Sequence, residues 1–260
     1  AQDLALFDAA VEGLEASTVS NGLQNAFQGQ GPLIFLASPT RVEGGEAAVL
    51  SAYETSRRTE VAPPEPLSVV EWPYSQFGAP GKVVETRDVT DLETVFVRFD
   101  NGVRLTIKPT RFQDDEILVS VQVGDGLQSL PSETQSLAWA SQALVEGGLG
   151  EITAEDMERV LASNVYGARL RVSDDAFTLS GSTRPEDLDV QMQVLTAYLA
   201  DPAWRTEAFA RIQAAGATIH EQYEATAGGV LSRDLSGLLH SGDRRWTFPT
   251  KAEIAQATLD

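Results

Sequence analysis

Apolar residues recur along this chain first with a helical period and later with a strand period. Leu4, Phe7, Val11 and Leu14 fall on one helical face, and Val19, Leu23 and Phe27 follow at intervals of four, so two short helices are predicted. Gly29 to Gly31 breaks the pattern. The continuous run Leu33-Ile34-Phe35-Leu36 then predicts a buried strand, and Gly45 to Tyr53 a further helix. Past residue 90 the period changes to two. Val95 to Phe99 and Val103 to Ile107 flank Asp100-Asn101-Gly102, and Asn-Gly between alternating apolar runs is a strong hairpin signal because both residues tolerate positive φ. Ile117 to Val123 adds a strand, and Gly124 to Leu130 a loop.

The stretch from Ser132 to Gly148 returns to helical spacing. Ser132 and Gln135 have capping-box spacing, Leu137, Ala140 and Leu144 share a face, and Gly147 offers a left-handed stop; a helix of about three turns is predicted. Thr153 with Asp156 starts a short helix through Leu161. Tyr166, Ala168, Leu170 and Val172 alternate, Ser173-Asp174-Asp175 turns, and Phe177 and Leu179 alternate back, which predicts a hairpin. Thr183 as cap, Pro185 in the first turn and the stripe Leu188, Met192, Leu195 and Leu199 predict a helix that Asp201-Pro202 ends. Trp204 to about Glu224 gives another, and Gly228-Gly229 separates it from a last helix ending near Leu239-His240. Strands and helices without repeated βαβ units make the fold class α+β, an antiparallel-rich sheet with helices packed on one face.

Between these halves the composition shifts. Pro63, Pro64, Pro66, Pro73 and Pro80 stand among Gly78 and Gly81 with no sustained period, as in a stiff, extended connector. Trp72, Tyr74 and Phe77 within it predict packing on a domain surface; a strip for docking peptides is the alternative. The chain thus divides into residues 1–61, a connector over 62–92, and residues 93–260.

With 42% hydrophobic and 22% charged residues over 260 positions, a sizeable core is within reach. Acids outnumber bases 38 to 19, a net charge of -19, which argues against nucleic acid as a partner. That charge reads as a solvated surface, or as a preference for a basic peptide. The absence of cysteine excludes disulfides and thiolate metal sites. No run of about 18 apolar residues exists, so no membrane span is predicted. No signal peptide is visible at Ala1, and Asp260 falls at what reads as a helix start, as expected of a piece of a longer chain.

Few residues are spaced for chemistry. Ser136 and Ser141 lack the Gly-x-Ser-x-Gly elbow of a Ser-His-Asp enzyme. Gly124-Asp125-Gly126 lacks the Gly-Lys-Ser/Thr ending of a phosphate loop and reads as a turn. Arg244-Arg245-Trp246 either binds a substrate carboxylate or forms a surface loop. His220 and His240 have no partners at metal-ligand spacing.

The order of elements, with the string Phe-x-Asn-Gly-Val-Arg-Leu at Phe99 to Leu105, resembles the α+β domain of the M16 zinc peptidases (pitrilysin, insulysin, mitochondrial processing peptidase), which have the LuxS/MPP-like fold. In that family the helix equivalent to Ser132–Gly148 carries His-x-x-Glu-His, whose two His bind zinc while the Glu activates water. The matching positions here are Trp139, Gln142 and Ala143. Indole does not ligate zinc, an amide is no general base at neutral pH, and a methyl group has no lone pair. The resemblance therefore implies a degenerate domain with no catalytic residue, no metal ligand set and no cofactor of its own. The family's third zinc ligand is a Glu on a later helix; counted on from Ala143, its place falls close to His220 and Glu221. These two are relic candidates, although adjacent helical residues point apart and one His with one Glu completes at most half a zinc site. Residues 1–61 resemble the C-terminal part of a preceding domain.

The implied function is that of a non-catalytic half of an M16-type zinc metallopeptidase, one wall of a peptide-degrading chamber whose catalytic half holds the zinc. The implied partners are the remainder of the parent chain or a catalytic subunit, with a peptide as substrate. A periplasmic location is the expectation from similar bacterial proteins. The alternative is a non-enzymatic assembly or scaffold subunit of the same fold.

Overall fold

The computed structural model describes residues 2–28, 31–62, 70–136 and 138–259; Gly29, Pro63, Pro64, Pro66 and Leu137 lie outside the described residues. The chain forms two compact units, Ala1–Pro66 and Leu67–Asp260.

In the first unit the expected helices are α1 (Gln2–Val11), α2 (Ala16–Ala26) and α3 (Gly45–Arg58). α3 starts after Gly44, whose φ of 81° costs a glycine little, and runs past the predicted end at Tyr53. The run Leu33 to Leu36 forms no strand, and Leu33 and Phe35 are almost fully exposed. A strand needs a neighbour for its backbone groups, and no described residue of this unit pairs with the run. Neither α2 nor α3 buries a residue, so the stripe Val19, Leu23 and Phe27 is exposed.

In the second unit β1 (Val83–Val89), β2 (Thr94–Phe99) and β3 (Arg104–Ile107) form an antiparallel sheet in that order. β1 falls inside the stretch read as connector. The β2–β3 hairpin forms where Asn-Gly predicts it, but only Gly102 takes positive φ, at 88°; Asn101 contributes through its side chain, Oδ1 accepting from the Val103 N–H at 3.1 Å. β4 (Ile117–Val123) belongs to a second antiparallel sheet with β5 (Arg169–Val172) and β6 (Phe177–Thr183), ordered β4-β6-β5. α4 (Ala143–Glu146) and α5 (Ala154–Val160) lie between β4 and β5 in sequence; α6 (Leu188–Ala200), α7 (Thr206–Glu224), α8 (Ala227–Leu239) and α9 (Lys251–Gln256) follow the sheet. The architecture is α+β with antiparallel strands, in two sheets rather than one.

Alternation decides which face of the second sheet is buried. Val119, Val121, Leu170 and Leu179 pack toward Val194, Leu195, Ala197 and Tyr198 of α6, and Leu149, Ile152, Met157 and Leu161 close the core. The buried face of α6 is not the predicted stripe: Met192 and Leu199 are exposed, while Gln191 is fully buried. Gln191 Oε1 accepts from the Gly167 N–H and its Nε2 donates to the Gly167 C=O, both at 2.8 Å, so a backbone segment leading into β5 is satisfied by a side chain. The core face becomes Gln191, Val194, Leu195 and Tyr198.

Two predicted helix starts shift. Thr183 ends β6, and its hydroxyl donates to the Val165 C=O at 2.6 Å instead of capping a helix. Gly228-Gly229 lies within α8, capped by Thr226, whose hydroxyl accepts from the Gly229 N–H. Thr153 caps α5 as its spacing predicts.

Buried Asp187 fixes the entry to α6, accepting from the Val165 N–H at 2.8 Å, Asn164 Nδ2 at 2.7 Å and Arg184 Nε at 2.5 Å. These donors, the Val165 N–H foremost, hold its carboxyl below the usual 3.8. A carboxyl depressed in the fold adds stability above its unfolded pKa and loses it as pH falls through the folded value. In thermal melts, the gap between this protein and Asp187→Asn should narrow from neutral pH to below about pH 4. A gap independent of pH would show that Asp187 is not the group responsible.

Trp72 and Tyr74 of the connector pack against the core, while Phe77 is exposed. Trp72 Nε1 donates to Gln193 Oε1 at 2.7 Å. Tyr74 OH donates to Asp201 Oδ2 at 2.6 Å and accepts from the Glu151 N–H at 2.9 Å.

Candidate functional site

The predicted three-turn helix from Ser132 does not form as one piece. Residues 138–140 make a short 3-10 turn, and α4 has only four residues. Tertiary contacts take Gln135 and Ser136: Gln135 Nε2 donates to the Thr247 C=O at 3.0 Å and the Ser136 N–H to the Arg244 C=O at 3.1 Å, while Ser132 Oγ donates only to the neighbouring Glu133 Oε2. The stop also moves by one residue: Gly147 is right-handed, with φ -66°, and Gly148 takes φ 71°. Gly147 answers a steric demand instead, since a Cβ there would lie 2.1 Å from the Ala203 C=O oxygen.

Each position matched to the zinc-binding motif has a packing role. Trp139 lies against α7, where a Cβ on Gly216 would come within 2.8 Å of the indole, and its ring is 6.3 Å from that of Phe209. Gln142 Nε2 donates to the Leu170 C=O of β5 at 2.8 Å. Ala143 is buried. Trp139 and Gln142 therefore reach different elements, α7 and β5.

α7 places His220 one turn beyond Gly216. The imidazole is buried, its Nδ1 has no hydrogen-bond partner among the described residues, and Glu224 Oε1 lies 3.6 Å from it. Glu221 points the other way, to solvent, 3.5 Å from Lys251 Nζ. The two are thus not brought together, as adjacent helical positions require. Lys251, hydrogen-bonded to Glu224, holds that carboxyl below its ordinary range, with smaller contributions from His220 and Arg233. Among the described residues no three His, Cys, Asp or Glu side chains are placed to share a metal.

The Arg244-Arg245-Trp246 cluster is occupied from within. Arg245 makes a two-toothed pair with Asp243 and also donates to the Leu130 C=O; Arg244 joins Gln135 to Glu253; Trp246 Nε1 donates to Asp174 while its ring stacks on His240 at 4.5 Å. Of the three, Arg244 is exposed and Arg245 and Trp246 are half-buried. Sequence reasoning passed over Arg169 and Arg171, although the alternation Arg-Leu-Arg-Val, with Leu170 inward, places both on one face.

No protein-family profile matches the chain, and no curated protein does. Among solved structures it is similar to the ferredoxin protease FusC in complex with Arabidopsis ferredoxin, with a TM-score of 0.57 at 14% identity over 82% of this chain and 24% of that one. It is also similar to the periplasmic protease PqqL from Escherichia coli, with a TM-score of 0.56 at 18% identity over 82% of this chain and 23% of that one. A protease from Helicobacter pylori gives 0.51 at 13% identity over 68% of this chain and 42% of that one. The chain spans about a quarter of the length of the first two. At these identities the likeness is one of fold, and that fold is the M16-like peptidase fold.

Proposed function

We propose that the second unit is the non-catalytic half of an M16-type zinc peptidase, one wall of a chamber closed by a catalytic half bearing His-x-x-Glu-His. A single observation carries this reading: on a peptidase fold, the three positions of the zinc motif hold side chains committed to packing, with Trp139 against Gly216, Gln142 on the Leu170 carbonyl, and Ala143 in the interior. A second wall encloses the substrate and excludes water from the reacting centre, so a domain without metal still contributes to turnover. One solved neighbour is described as a periplasmic protease, and the periplasm is the proposed location here.

The test is a quenched-peptide assay of the purified chain with zinc, alone and mixed with the catalytic half of its parent peptidase or its catalytic subunit. The chain alone is expected to be inactive, and the mixture to exceed the catalytic half alone by about tenfold or more. Chelator-sensitive cleavage by the chain alone would overturn the reading. A complex that forms without any gain in cleavage would mean a scaffold subunit instead.

A further inference from the structure

We propose that the solvent face of the β4-β6-β5 sheet docks an acidic peptide segment through Arg169 and Arg171. The proposal deepens the chamber-wall reading, on which it rests for the ligand being a peptide.

Leu170 packs on the core, so Arg169 and Arg171 project from the opposite face, and both are exposed. The register builds two rows across the sheet: Ser120, Ser180 and Arg169 in one, Gln122, Thr178 and Arg171 in the next. Each row ends in a guanidinium and is floored by neutral hydrogen-bonding groups. None of the three strands contains an Asp or Glu. Among the described residues neither arginine has a carboxylate within ion-pair distance.

Other cations, Arg104 and Lys108 among them, also make no ion pair among the described residues, whereas Arg98 pairs with Glu85 across β1 and β2 at 3.0 Å and Arg244 and Arg245 are held by Glu253 and Asp243. What distinguishes Arg169 and Arg171 is that they stand in neighbouring rows of a sheet whose strands contain no acid. The spacing also fits. Residues two apart on a strand stand about 7 Å from each other, so an extended ligand with carboxylates at alternate positions matches the two guanidinium groups one to one. The Leu170 carbonyl is already taken by Gln142, so at that position the ligand meets side chains and not free strand backbone.

The experiment is fluorescence anisotropy with a rhodamine-labelled decaglutamate peptide, titrated with the 260-residue chain at low salt. Saturable binding is expected, weakened about tenfold by Arg169→Ala/Arg171→Ala, weakened less by the double lysine variant, and unchanged by Arg104→Ala. All three sites are exposed, and circular dichroism melts verify that the variants fold. Equal affinity in the double alanine variant, or no binding at millimolar protein, would overturn the proposal. A thymidine decamer binding as tightly as the peptide would also overturn it, by reassigning the face to phosphate. The assay needs no catalytic half. Failure here with a gain of cleavage in the mixed assay sinks the docking face alone, whereas the reverse result sinks the chamber reading alone.

Discussion

Installing a His-x-x-Glu-His motif as Trp139→His/Gln142→Glu/Ala143→His is expected to destabilise the second unit by about 3–8 kcal/mol and to yield no stoichiometric zinc. Three separate losses add up. A smaller ring at 139 leaves the surface above Gly216 and beside Phe209 unfilled. A carboxylate at 142 would face the Leu170 carbonyl oxygen in place of a donor. An imidazole at 143 overfills a buried methyl site. Against a total stability of about 5–15 kcal/mol for an ordinary domain, the triple variant lies near the folding threshold. The single change Gln142→Glu, costing about 1–3 kcal/mol, therefore accompanies it. Urea denaturation and elemental analysis after dialysis against zinc decide the matter: about one zinc per chain with an unchanged midpoint would mean that these positions still form a metal site.

Replacing Gln191 with leucine should lower stability by about 2–5 kcal/mol, or roughly 5–15 °C in melting temperature. Leucine fits the volume of the site but abandons both backbone groups of Gly167. Neither group can recover easily, because Gly167 crosses Gly181 at close range: a Cβ on Gly181 would lie 2.0 Å from the Gly167 oxygen. If Gln191→Leu melts within a degree or two of the parent protein, the amide is a passenger and the core is held by apolar packing alone.

The elements legible in the sequence were those whose signal is local. Asn101-Gly102 and Thr153 state their turn and cap chemistry within a few residues, and the structure realises both. Ser132 and Thr183 carry equally good local signals and are used differently, because Arg244, Thr247 and Val165, distant in sequence, offer backbone groups that compete for the same stretch or hydroxyl. Gln191 was invisible for the same reason. A polar residue in a helix reads as a surface position until its partner, Gly167, is known. Leu33 to Leu36 shows the opposite failure: its composition suits a strand, but among the described residues none pairs with it. At the site, a family resemblance singled out Trp139, Gln142 and Ala143 and residue type marked them as unsuited to zinc chemistry, whereas the contacts they make depend on α7 and β5.

The Gln142 amide bears on how copies of this protein behave in a crowded solution. β5 ends its sheet, and a terminal strand offers unpaired carbonyls and amides to which another molecule can add, and to that one a third. A side chain reaching the Leu170 carbonyl breaks that row at its middle, so stacking strand upon strand from this side has to displace an existing bond first. One amide on the Leu170 carbonyl thus makes this open edge of the sheet a poorer template for a second copy than an unobstructed strand would be.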